Sequence, residues 1–160
     1  MKKSELAKLQ IEKAIDLFYE NNFPCSITLA GAAEEMLGNI LRKNGEENIL
    51  GELLPWFNER YNTEMSFSEL AKGANEIRDE LKHGHSYPDI NHEVEVSLAY
   101  CTQMLQRAYV NYSRAVGIPT EKMALFGRYV TENEKELLSE WSETEQGGQT
   151  PLCFAPLDRI

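Results

Sequence analysis

Between Glu5 and Glu20 the residues Leu6, Ile11, Ala14, Ile15, Leu17 and Phe18 fall on one side of a helical wheel. Glu5, Lys8, Glu12, Lys13, Asp16 and Glu20 fall on the other, and only Leu9 is out of place, so the spacing predicts an amphipathic helix. Asn21-Asn22-Phe23-Pro24 interrupts it. A second helix follows from about Cys25 to Lys43, where Asn44-Gly45 tolerates a left-handed stop. A shorter element over Asn48 to Tyr61 carries Ile49, Leu53, Leu54, Trp56 and Phe57, with Pro55 placed to kink or restart it. Ser66-Phe67-Ser68-Glu69 has the capping-box pattern, so the next helix starts near Phe67. Its seam is Phe67, Leu70, Ala74, Ile77 and Leu81, and Gly84 ends it, leaving His83 in the last turn.

After the loop from His83 to Asp89, a long helix is predicted from about Asn91 to Val116, with Val94, Leu98, Cys101, Leu105, Ala108, Tyr112 and Ala115 along a packing seam. Pro119-Thr120 caps one more short helix through Phe126, Glu132 to Trp141 is acidic, and Gln146 to Pro151 reads as loop. No strand pattern or internal repeat is present. The expectation is an all-α antiparallel bundle of five to six helices forming one domain. Residues 1–117 make its body, and 118–160 make a helical extension and tail packed on it.

Composition narrows the function classes. A net charge of −10 and a pI near 4.8 repel nucleic acid at long range, so a protein of this kind acting on RNA must concentrate its cations locally. Cys25, Cys101 and Cys153 are far apart and odd in number, which points to reduced thiols rather than a disulfide framework. The opening residues alternate charged and apolar positions with no run suited to a signal peptide or membrane span, and the expectation is a cytoplasmic protein with no membrane contact. No G-x-x-x-x-G-K-[ST] loop, strand-linked G-x-G-x-x-G or G-x-S-x-G elbow occurs, which disfavours nucleotide hydrolysis, dinucleotide redox chemistry and the usual hydrolases.

Candidate chemistry centres on Ile77-Arg78-Asp79-Glu80-Leu81-Lys82-His83-Gly84. An imidazole exchanges protons near neutrality and a guanidinium holds two phosphate oxygens at once, so this set suits phosphate chemistry. Arg78 sits at the edge of the apolar seam, where a cation needs a partner. Glu34 supplies a candidate: with Ile27, Ala30, Leu37 and Leu41 it shares a three-four spacing that puts a carboxylate in the middle of an apolar stripe, to be paired with Arg78 or His83. A purely structural ion pair and a helix-dipole role explain the same residues, because an arginine followed five residues later by histidine is commonplace. His83, His85, Asp89, His92 and Glu93 carry donor types suited to zinc, but no H-E-x-x-H or cysteine pair accompanies them, and neither metal nor cofactor is expected. Tyr100, Tyr109 and Tyr112 read as packing residues.

On these residues the chain resembles the HEPN (higher eukaryotes and prokaryotes nucleotide-binding) superfamily. The motif of that superfamily is an arginine, usually followed by a polar residue, with a histidine after four to six residues; here these are Arg78, Asp79 and His83. The resemblance extends to the first helix pair, through the segments from Gln10 to Phe18 and from Thr28 to Gly38, and covers roughly residues 5–117. It implies an all-α domain that dimerises so that two Arg/His motifs face one cleft and, in active members, a metal-independent endoribonuclease leaving 2′,3′-cyclic phosphate ends. By the same resemblance His83 exchanges the proton, Arg78 stabilises charge on the phosphoryl oxygens and Asp79 orients one of these groups. Glu34, Lys82, His85 and Tyr87 are the candidates for orienting or binding substrate. Many relatives are toxins or defence proteins, so RNA and an antitoxin protein are the partners implied. Many others are non-catalytic modules that bind a nucleotide or a protein, and a helical adaptor in which Arg78 and Glu34 merely pack is a third class.

Overall fold

The computed structural model describes residues 1–84, 89–133 and 135–137. These form helices α1 (Lys3–Tyr19), α2 (Phe23–Lys43), α3 (Ile49–Tyr61), α4 (Phe67–His83), α5 (Leu98–Val116) and α6 (Glu121–Glu132), with no strand among the described residues. The protein is an all-α bundle. No helix among the described residues is long and apolar enough to cross a membrane.

The helix starts are chemically specified. Ser66 and Glu69 close the expected capping box, the Ser66 hydroxyl and amide both donating to the Glu69 carboxylate, which holds that carboxyl below its usual range. Asn48, Ser97 and Thr120 cap α3, α5 and α6 by accepting amide protons from Gly51, Tyr100 and Met123. Gly84 ends α4 in the left-handed region, φ 57°.

Five expectations are corrected. Pro24 lies in the first turn of α2, where its missing amide proton is harmless, so the helix begins at Phe23 rather than near Cys25. The long helix begins at Leu98 rather than Asn91, because the Asn91 amide is drawn into a turn with the Asp89 side chain and Ser97 provides the cap; Val94 therefore lies outside it. α6 runs past Phe126 to Glu132, because Val130 joins Met123 and Phe126 on one buried face and Gly127 is seated against the Tyr109 ring. On α1 the buried stripe starts at Ala7, and Leu6 is exposed alongside Leu9. α3 continues unbroken through Pro55.

α1 and α2 pack antiparallel, Phe18 meeting Phe23 and Ala14 meeting Ser26, yet the central pair α2 and α5 is parallel. Cys101 faces Phe23, Met104 faces Gly31 and Arg107 faces Glu34, the positions rising together along both helices. α3 and α4 supply the return path. α4 runs back along α2, with Phe67 beneath the Arg42 guanidinium at 5.3 Å and Arg78 lying across Gly31. The core joins Ile11, Ile15, Phe18, Ile27, Leu37, Met104, Leu105 and Phe126. α6 closes it through Phe18, Phe126 and Tyr129, whose rings meet mostly edge to face, and through a Lys122–Asp16 bridge of 2.6 Å.

Helix α5 is buried on nearly every side. Cys101 is fully enclosed, and burial pushes its thiol up to about 12, whereas Cys25 is exposed. Peptide-mapped alkylation at pH 8 is expected to label Cys25 within minutes and to leave Cys101 unlabelled until the chain is denatured. The folded thiol holds its proton while the unfolded one loses it near pH 9, so this contribution to stability is complete below pH 9 and is lost as pH rises towards about 12. A urea titration should show the fall, with a slope of at most about 1.4 kcal/mol per pH unit from this group, and Cys101→Ala should flatten it.

Candidate functional site

Glu34 is the residue around which the candidate site is built. It sits on α2 at 4 % exposure, facing α4 and α5. A carboxylate so buried needs charged partners, and two arginines supply them. Arg107 of α5, itself 2 % exposed, brings Nη2 to 3.1 Å from Glu34 Oε1. Arg78 of α4 brings Nη1 to 3.8 Å from Glu34 Oε2.

Arg107 also ties α4 in place. Its Nη1 donates to the Ala74 carbonyl at 2.7 Å and its Nη2 to Asn75 Oδ1 at 2.7 Å, one turn before Arg78. The Tyr100 hydroxyl donates to the same Ala74 carbonyl at 2.9 Å and accepts from the Ile77 amide at 3.3 Å, and burial raises its phenol above the usual range. Asn111, one further turn along α5, donates to the Glu34 carbonyl and accepts from the Ile49 amide at the start of α3. Gln103, Arg107 and Asn111 thus form a buried polar ridge at every fourth position of α5.

Arg78 is 8 % exposed and reaches Glu34 only because α2 carries glycine where its side chain crosses. A Cβ at Gly31 would stand 2.4 Å from Arg78 Cδ and 2.8 Å from Cγ. On its outer side the guanidinium is clasped by Asp79, whose Oδ1 accepts from Nε at 2.8 Å and from Nη2 at 2.6 Å. Glu35 stands 3.8 Å from Nη1 and also faces Lys82 Nζ at 3.9 Å. Glu34, Glu35 and Asp79 therefore balance Arg78, Arg107 and Lys82 in one network that carries no net charge.

The expected residues divide accordingly. Arg78, Asp79, Glu34 and Lys82 belong to one network. His83 closes α4 as an exposed residue five positions from Arg78, about 140° further round the helix, so within one copy of the chain the two side chains leave α4 on different sides. His85 and Tyr87 lie outside the described residues, as does most of the acidic tail. Among the described residues no three His, Cys, Asp or Glu side chains come together as metal ligands. Arg107 was not anticipated, because the seam traced on α5 ran through Leu98, Cys101, Leu105 and Ala108 and left it on the polar side. One signal was present: from Leu98 to Val116 there is no lysine, aspartate or glutamate, which marks a central helix whose rare polar residues are enclosed.

Glu34→Ala, which strands Arg107 in the interior, should lower the unfolding free energy in urea by about 3–5 kcal/mol. Gly31→Ala gains about 1 kcal/mol of helix propensity but drives its methyl into the Arg78 stem; a net loss of about 1–2 kcal/mol is expected, reduced by a second substitution, Arg78→Ala.

Comparison of the chain with family models, with curated proteins and with solved structures returned no match, so the functional reading stands on this geometry and on the motif.

Proposed function

We propose that this protein is an endoribonuclease of the HEPN type, acting as a homodimer and cleaving RNA without a metal to leave 2′,3′-cyclic phosphate ends. The observation that carries the reading is the state of Arg78. Its Nε and Nη2 are clasped by Asp79, whereas Nη1 has its two carboxylate neighbours at 3.8 Å, beyond hydrogen-bonding distance. A guanidinium held in direction with one nitrogen loosely engaged is suited to accept a phosphoryl oxygen that carries more charge in the transition state than in the ground state.

In this reading His83, exposed at the end of α4, takes the 2′-hydroxyl proton or returns one to the leaving 5′-oxygen. Because Arg78 and His83 leave α4 on different sides, the reading pairs the motifs of two copies across a shared cleft, with Lys82 adding positive charge and His85 and Tyr87 contacting RNA. The negative charge of the remaining surface restricts the cleft to short or single-stranded substrate. A toxin or phage-defence role restrained by an antitoxin protein fits such an activity, in the cytoplasm.

The neutral network supports a second reading. With three carboxylates matching three cations, the cleft lacks the excess positive charge that RNA binding favours, as suits a non-catalytic module that binds a nucleotide or protein partner.

The deciding measurement is cleavage of a labelled single-stranded RNA pool in EDTA. Wild type should yield cyclic-phosphate ends, and His83→Ala, checked for fold and for oligomeric state, should lose at least about 100-fold in rate. No cleavage by the folded wild type across varied RNAs would favour the binding module.

A further inference from the structure

We infer that Arg107, which touches no candidate catalytic residue directly, is a positioning residue that controls how readily Arg78 engages a phosphate. The inference rests on the ribonuclease reading of Arg78 and deepens it.

Glu34 has two oxygens and two arginines, and it shares them unequally. Oε1 lies 3.1 Å from Arg107, while Oε2 stands 3.8 Å from Arg78. Arg107 can hold the nearer oxygen because its fork is anchored independently on Ala74 and Asn75 of α4 and is 2 % exposed. The consequence falls on Arg78 Nη1. A fully buried carboxylate with only one cation would close onto it as a charged hydrogen bond, and an incoming phosphate would have to break that bond in a place where water cannot compensate. By satisfying Glu34 first, Arg107 keeps the carboxylate at a distance. Glu34 then steadies Arg78 by its charge without occupying the nitrogen.

The outer carboxylates do not impose the same barrier. Glu35 and Asp79 have side chains 48 % and 44 % exposed, so their hold on Arg78 is screened by solvent and can be exchanged for a ligand oxygen more easily than one from Glu34. Access to Arg78 thus depends on the inner carboxylate, and Arg107 governs that carboxylate.

The test uses the full chain in three forms: wild type, Arg107→Met, and Arg107→Met with Glu34→Gln. All three are checked for cooperative melting and equal oligomeric state. In Arg107→Met, Glu34 turns to Arg78, and kcat/KM for RNA should fall at least about tenfold, mainly through KM, because the carboxylate must be displaced on binding. Adding Glu34→Gln removes the competing charge and should raise kcat/KM at least about threefold above the single variant, short of wild type because Arg78 loses the charge that steadies it. A purely structural Arg107 would leave the double variant as impaired as the single one, so failure of the rescue overturns the proposal, as does full activity in Arg107→Met. A second readout needs no catalysis: phenylglyoxal modification of Arg78, followed by peptide mass spectrometry. It should slow in Arg107→Met and recover in the double variant. If wild type cleaves no RNA, the ribonuclease reading fails while this labelling still decides the positioning role, and an Arg78 rate equal in all three forms overturns it.

Discussion

Placing the Glu34 carboxylate in the contact between α2, α4 and α5 imposes a requirement that the surrounding helices meet together. The group is 4 % exposed, so its charge has to be matched by partners that are themselves held in place. Arg107 meets this from α5 and also donates from Nη1 and Nη2 to Ala74 and Asn75, which sets where α4 lies; Arg78 meets it from α4 by crossing α2 at Gly31, which has no side chain to obstruct it. The buried apolar contribution of α4 is modest, with Leu70 and Ala74 enclosed and Ile77 and Leu81 only partly covered. Directional polar contacts therefore carry much of the burden of placing the helix that bears the motif.

The same arrangement separates two kinds of environment along the last turns of α4. Arg78 faces inward, in a medium where charge interactions are strong and geometry is constrained, whereas Lys82 and His83 are exposed. Their divergence around the helix is what the proposed homodimer would resolve, a second motif facing the first across a twofold axis and presenting the side chain that each copy directs elsewhere. The network's neutrality bears on selectivity as well. On the proposed ribonuclease reading, a local site without excess charge, set in a chain of net charge −10, would disfavour long duplexes and depend on contacts made at close range.

Much of this was legible in the residues themselves. Helical periodicity, capping serines and threonines, and glycine stops identified helices α1 to α6, since these signals are local and act within a few residues of where they are read. Glu34 stood out because a carboxylate in a three-four apolar stripe contradicts its surroundings, and Arg78 because it fell at the edge of another stripe; their pairing across α2 and α4 followed from charge. The largest boundary error, at the start of α5, has a local cause. Asp89 and Ser97 compete for backbone amides that periodicity had assigned to one long helix, and that competition depends on side-chain geometry.

What the sequence by itself determined, then, is the set of helices, their apolar faces and the presence of a buried charge in need of a partner. Only the tertiary structure decided that α2 and α5 run parallel, that Arg107 is the nearer partner of Glu34, and that Gly31 is the passage for Arg78. Periodicity reports which side of a helix avoids water. It does not report which helix lies opposite, or at what height, and α5 is enclosed on so many sides that its polar ridge of Gln103, Arg107 and Asn111 looks outward on a wheel while being interior in space.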